Sequence, residues 1–173
     1  MNDSSHAILI SYQSSWKDRF ETEKSKLKEI FGDKVIAIEH IGSTSIEGLA
    51  SKPIIDIAVM IENQKDADAF IKPLEGFRYS YDKLNSSAER HLFRKGNPTE
   101  FHLSIAYTDK GGFWERQILF RDYLRKHSDL RDEYQKLKKK LLKNNPTGKD
   151  SYISGKSEFV NGVLILAKKE AGK

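Results

Sequence analysis

Asp56 stands in the run Ile54-Ile55-Asp56-Ile57-Ala58-Val59-Met60-Ile61, otherwise apolar and rich in β-branched residues. A carboxylate inside a core strand is costly unless a cation, a metal or hydrogen-bond donors meet it. Upstream lies a second apolar run, Val35 to Ile41, broken only by Glu39 and His40 and ended by Gly42-Ser43. A glycine permits close backbone approach to a phosphate, and Ser43, Thr44 and Ser45 add hydroxyls. At the start of a helix such a turn also offers backbone N–H groups to an anion. The stretch 35–61 therefore reads as strand, Gly-Ser turn, short helix over Thr44–Ala50, and a strand entered through Pro53. Together these suggest a phosphate cradle beside a metal-binding aspartate. An ordinary strand-to-helix turn with a serine N-cap would use the same residues. A structural Asp56 would need only Lys52, His40 or an arginine as its partner.

Other residues extend the candidate site. Glu100, His102 and Ser104 alternate along a later strand, with Phe101, Leu103 and Ile105 facing the other way. Strand alternation likewise separates Ile54, Asp56 and Ala58 from Ile55, Ile57 and Val59. His102 or Glu100 is expected to face Asp56 as a further ligand, and His40 is a third candidate. Lys52, Arg90, Arg94 and Lys95 have the charge to neutralise phosphates, and arginine does so with a bidentate fork. Singly, each is equally well explained as half of a surface ion pair.

These residues sit in an alternating order of elements. A helix from Ser14 or Ser15 to Gly32 carries Trp16, Phe20, Leu27, Ile30 and Phe31 at helical spacing, as core anchors; Asp18 completes a box-like cap. His6 to Ser11 reads as an edge strand. Asp66–Leu74 is a predicted helix and Phe77–Tyr81 a strand, followed by a loop over 82–89. Arg90–Lys95 and Glu100–Tyr107 form a hairpin through Gly96-Asn97-Pro98. The remainder is helical: a stripe through Phe113, Phe120 and Leu124, another through Leu130, Tyr134, Leu137 and Leu141, then a break at 144–148. A last stripe joins Tyr152, Phe159, Val163 and Leu166. Arg121 and Asp122 read as an interhelix or helix–sheet ion pair. The layout is α+β, with helices packed on a small mixed sheet, and no repeat or long linker divides residues 1–173.

Composition sets outer limits. The 173 residues contain no cysteine, which excludes disulfides, thiol chemistry and Cys-ligated zinc and suits a cytoplasmic setting. No apolar run approaches the length of a membrane span, and MNDSSHAILIS does not read as a secretory signal. Net charge is +5, which favours phosphate-bearing ligands and, less directly, nucleic acid. Much of that excess lies in Lys136–Lys143, which reads as a solvated helix face. No G-x-x-x-x-G-K-[ST] phosphate loop occurs.

A Gly-Ser turn followed by a strand aspartate resembles the nucleotidyltransferase-fold superfamily. The spelling IEHIGSTSIEGLASKPIIDI is similar to the signature of the GrpB family, also called UPF0157. The likeness begins at Ser11-Tyr12 with Trp16 and Phe20. It continues through Phe93-Arg94-Lys95-Gly96, Phe101-His102-Leu103-Ser104-Ile105 and FRDYLRKHSDLRDEYQKLKKKL, and ends with 152–164. The resemblance implies a nucleotidyltransferase-like mixed sheet with a helical C-terminal part. It further implies a nucleoside triphosphate and Mg²⁺, or Mn²⁺, with Gly42, Ser43, Thr44, Lys52 and Arg94 around the phosphates. Asp56 and His102 would be catalytic and, with His40 and Glu100, metal ligands. The acceptor is not visible. The superfamily places two acids two residues apart, whereas Ile54 and Ala58 flank Asp56 here. That departure suits an alternative that the resemblance also carries: a non-catalytic folding or partner module, like the related domains fused behind dephospho-coenzyme A kinase.

Overall fold

The computed structural model describes residues 8–144 and 149–172. In chain order the elements are α1 (Ser15–Phe31), β1 (Ala37–Ile41), β2 (Ile55–Ile61), α2 (Ile71–Gly76), β3 (Tyr79–Tyr81), β4 (Arg90–Lys95), β5 (Phe101–Tyr107), α3 (Phe113–Lys126), α4 (Ser128–Asn144) and α5 (Lys149–Glu170). The five strands make one mixed sheet in the order β1-β2-β5-β4-β3. Only the central β2–β5 pair is parallel; the others are antiparallel.

Strand alternation divides the sheet into two faces. On one, Ile38, Ile55, Ile57, Val59, Phe93, Leu103 and Ile105 pack with Trp16, Phe20, Leu27 and Phe31 of α1 as the main core. On the other, Ile41, Ala58 and Ala106 pack under Phe113 of α3. A third cluster joins Ile46 and Leu49 to Leu124, Tyr134 and Val163, fastening the 43–51 loop to α3, α4 and α5.

Several expected elements differ. Thr44–Ala50 is not a helix: one 3₁₀ turn, Ser43–Ser45, follows Gly42, and Ile46 is already extended. The loop's backbone groups find partners on the C-terminal helices instead. Arg125 donates twice to the Ser45 carbonyl, Arg131 to that of Glu47 and Lys138 to that of Ala50, while Ala50 N–H donates to Gln135. The helix-terminus argument for a phosphate cradle therefore loses its helix. The box-like cap read for Ser15 and Asp18 does not form: Ser15 is already the first helical residue, Ser14 is the N-cap, and no side chain caps α1. In the predicted edge strand, Ile10 makes an isolated bridge to Ser51, and 6–7 lie outside the described residues, as do 145–148 of the expected break. The predicted helix over Asp66–Leu74 is a 3₁₀ segment, Gln64–Phe70, leading into α2; Pro73 falls in the first turn of α2, where a missing N–H costs least. In α5, Leu166 is 44% exposed and Ala167 takes its place in the buried stripe.

Candidate functional site

One row of side chains crosses the sheet. Asp56 of β2 is in register with Ile41 and with His102 of β5, and His102 with Arg94 of β4. Residues in register across strands share a face, so sequence alternation brings Asp56, His102 and Arg94 together. Arg94 Nη1 donates to His102 Nε2 at 2.9 Å, and its Nε donates to Asp82 at 2.6 Å. Guanidinium is only a donor, so Nε2 accepts and the His102 proton sits on Nδ1, donating to Asp56 Oδ1 at 3.0 Å. The result is a relay, Asp82–Arg94–His102–Asp56, with both imidazole nitrogens engaged.

Gly42 abuts this row. Its φ of +70° lies in the left-handed region, and a Cβ there would sit 2.4 Å from Asp56 Oδ2. The glycine is thus required twice, by backbone conformation and by the carboxylate beside it. The next residue, Ser43, accepts a hydrogen bond at 3.1 Å from Lys138 of α4, whose ammonium also donates to the Ala50 carbonyl at 2.6 Å. Lys138 is 2% exposed. Burial pulls its pKa down to about 7, with Lys156 and Lys52 adding to the shift. Lys156 of α5 is likewise lowered, to about 8, first by burial and then by Lys52, against the opposing pull of Asp56.

Asp56 and His102 form the wall shared by two clefts. The first, of about 190 Å³, is lined by Ser43, Ser51, Lys52, Lys138, Tyr152 and Lys156. The second, of about 280 Å³, is lined by Asn85, Arg90, Arg94, Phe113, Gln117 and Ile153. Of the sequence-predicted site residues, Gly42, Ser43, Lys52, Asp56, Arg90, Arg94 and His102 come together around these clefts.

His40, Thr44, Glu100 and Lys95 do not; Lys95 turns to the buried Glu23 of α1 instead. His40 lies on the opposite face, in register with Ile57, stacked on Phe20 of α1 and hydrogen-bonded to Thr44 at 2.9 Å. Burial lowers its pKa to about 4, so it is a neutral core histidine. Thr44 is 1% exposed and engaged with it. Glu100 precedes β5 and reaches Arg19 of α1 at 3.0 Å. Among the described residues no three histidine, aspartate or glutamate side chains gather as metal ligands. Ala58, where a second acid would stand, is fully buried in the cluster with Phe113. One carboxylate beside an engaged imidazole is too few oxygens to hold Mg²⁺ by itself, so the described residues do not on their own build a resident magnesium centre.

Sequence reasoning missed Lys138 and Lys156. Within Lys136–Lys143 the outward-facing reading holds for Lys136, Lys139, Lys140 and Lys143 but not for Lys138. A signal was available: each of these lysines, Lys138 buried and Lys156 half-buried, lies four residues after a tyrosine on its own helix, Tyr134 and Tyr152, and three before Leu141 or Phe159. That is an apolar-face position. The ammonium groups rest over those rings, at 5.0 Å and 4.1 Å. The helix–sheet ion pair read for Arg121 is present, to Glu39 at 2.6 Å, alongside its contact with Asp122.

A mixed sheet with a Gly-Ser turn ahead of a strand aspartate defines a nucleotidyltransferase-like fold. Cid1, an RNA terminal uridylyl transferase, superposes with a TM-score of 0.52 over 78% of this chain and 42% of that one; at 14% identity the likeness is one of fold alone. The chain belongs to the GrpB family, whose model, described as GrpB protein, matches residues 6–165. It is 38% identical over 161 residues to UPF0157 protein YqkA of Bacillus subtilis, covering 93% of this chain but 47% of that protein. Glutamate-rich protein GrpB of Alkalihalophilus pseudofirmus is 34% identical over 91% of this chain and 93% of its own length. The crystal structure of conserved protein GrpB from Enterococcus faecalis superposes with a TM-score of 0.87 at 33% identity, over 96% of this chain and all of that one. A part of Mycobacterium tuberculosis dephospho-CoA kinase is also similar, 28% identical over 76% of this chain and 39% of that protein.

Proposed function

We propose that the chain binds a nucleoside triphosphate, with its phosphates in the lysine cleft. The observation that carries this reading is Lys138: a nearly fully buried ammonium, paired with no carboxylate among the described residues, whose donors meet Ser43 Oγ and the Ala50 carbonyl at the cleft wall. A buried uncompensated cation is costly, and an anionic ligand at Ser43, Lys156 and Lys52 relieves that cost. The nucleotidyltransferase-like fold supports the same ligand class. Magnesium or manganese belongs to this proposal only as an ion carried in on the phosphates, with Asp56 its one protein carboxylate. Transfer of the nucleotidyl group to an acceptor, with Asp56 and His102 beside it, is the further step the fold suggests, in a cytoplasmic setting.

The test is nucleotide affinity by titration calorimetry, with and without Mg²⁺, for wild type, Lys138→Met and Asp56→Asn. Lys138→Met removes a buried charge and also the donor to the Ala50 carbonyl, two opposing effects on stability; it should stay folded and bind nucleoside triphosphates at least about tenfold more weakly. Asp56→Asn should strengthen metal-free binding by removing a negative charge and abolish any gain from Mg²⁺. Failure of the wild-type chain to bind any nucleoside triphosphate would sink the proposal. The folding or partner module, which the partial likeness to dephospho-CoA kinase favours, would then stand.

A further inference from the structure

Arg90 is the group that the lysine cleft does not use. It belongs to β4 and shares the sheet face of Leu92, Arg94, His102 and Ser104. The half-buried guanidinium lies 4.9 Å above the ring of Phe113, and Nη1 donates to Ser104 Oγ at 3.0 Å. Other arginines of the sheet and of α3 are matched by acids: Arg94 by Asp82, Arg116 by Glu89, Arg121 by Glu39 and Asp122. For Arg90 the described residues supply no such acid. Burial depresses its pKa from the ordinary value, Asp56 opposes that shift, and the like charge of Arg94 reinforces it. The Phe113 ring and Ser104 hold the guanidinium in a fixed plane, leaving further N–H donors in the second cleft.

That cleft combines this cation with two amides, Asn85 and Gln117, and with apolar walls at Leu92, Phe113 and Ile153. Its volume of about 280 Å³ suits a small organic molecule rather than a bare ion. Asp56 and His102 divide it from the lysine cleft, so one phosphate chain does not account for both sets of cations. We propose that the second cleft is a separate binding site for a small organic anion, an apolar or aromatic body carrying a carboxylate or phosphate. Arg90 holds the anionic group as a fork and Gln117 bonds its polar edge, while the Asn85 amide, held by Asp82, forms the rim. The proposal does not rest on nucleotide binding in the neighbouring cleft, since the two sites use different cations.

The experiment uses the intact chain without nucleotide. Benzoate, phenyl phosphate and neutral benzamide are titrated into the ¹⁵N-labelled protein, and the side-chain signals of Asn85, Gln117 and the Arg90 Nε–H are followed. Saturable shifts of these signals with benzoate support a carboxylate ligand; saturation with phenyl phosphate alone supports a phosphate ester. Arg90→Gln should weaken the binding probe at least about tenfold, and Arg90→Lys, which keeps charge and stem but loses the fork, should weaken it severalfold. Lys156→Gln, on the other side of Asp56, should leave it unchanged. A Gln117→Ala variant provides a second wall to test should Arg90→Gln fold poorly, and it too should bind more weakly. Equal binding of benzamide, equal binding by both Arg90 variants and wild type, or no saturable shift with either anion would overturn the proposal.

Discussion

Gly42 and Asp56 are matched before any ligand arrives. The glycine's φ of +70° and the 2.4 Å that would separate a new Cβ from Asp56 Oδ2 make this the most constrained contact of the site. Gly42→Ala should cost about 1–3 kcal/mol through the backbone alone, because φ +70° with ψ −175° is a conformation open essentially to glycine, and it should also push the Asp56 carboxylate off His102. Both effects are measurable on one variant: a lower melting temperature, and loss of the low-field His102 Nδ1–H resonance. A variant that lost stability but kept that resonance would show that Asp56 can yield without leaving its partner. Much at this scale is legible in sequence, because period-two alternation and the hairpin place Asp56, His102 and Arg94 on one face. His40 illustrates the limit. One residue of alternation separates it from the Asp56 side, yet its nearness to Gly42 in sequence made it a ligand candidate. The stacking on Phe20 that claims it is a contact between α1 and β1, which no local spacing encodes.

Between elements, the loop from Gly42 to Ser51 owes its shape to helices far along the chain. Its carbonyls are bound by Arg125, Arg131 and Lys138, which lie some eighty to ninety residues away in sequence. This explains why the strands of the sheet were readable and the path of 44–50 was not: small polar residues permit the expected helix, but long-range donors fix another path. The same geometry hides Lys138, whose burial follows from the α4 face that meets this loop. Arg125 lines neither cleft, which makes it a probe of the loop alone. Arg125→Met keeps the stem and removes both hydrogen bonds to the Ser45 carbonyl, 2.7 and 3.0 Å long. A cost of about 1–3 kcal/mol is expected, with faster amide exchange over 43–51 and weaker nucleotide binding. Unchanged exchange in that loop would mean that the cluster of Ile46 and Leu49 with Leu124 holds it unaided.

Across the whole molecule, burial of ionisable groups links folding, ligand and pH. With His40 held at about 4 against an ordinary 6.5, the unfolded chain takes up a proton in that window that the folded chain refuses, so stability falls as pH drops from 6.5 toward 4. Lys138 and Lys156, at about 7 and 8 against 10.5, act in another window with the same sign. Between their folded values and 10.5 the unfolded chain holds protons that the folded chain has shed, and stability rises with pH by up to about 1.4 kcal/mol per pH unit per proton. A bound phosphate reverses the lysines' preference, because it favours the charged ammonium. Nucleotide binding near about pH 8 should therefore take up protons from solution, and affinity should fall between about pH 6 and about pH 9. Calorimetric titrations in two buffers of different ionisation enthalpy measure that uptake directly. Lys138→Met should reduce the uptake as well as the affinity. An affinity flat across this range would show that the phosphates do not meet these lysines, even if the nucleotide binds elsewhere on the chain.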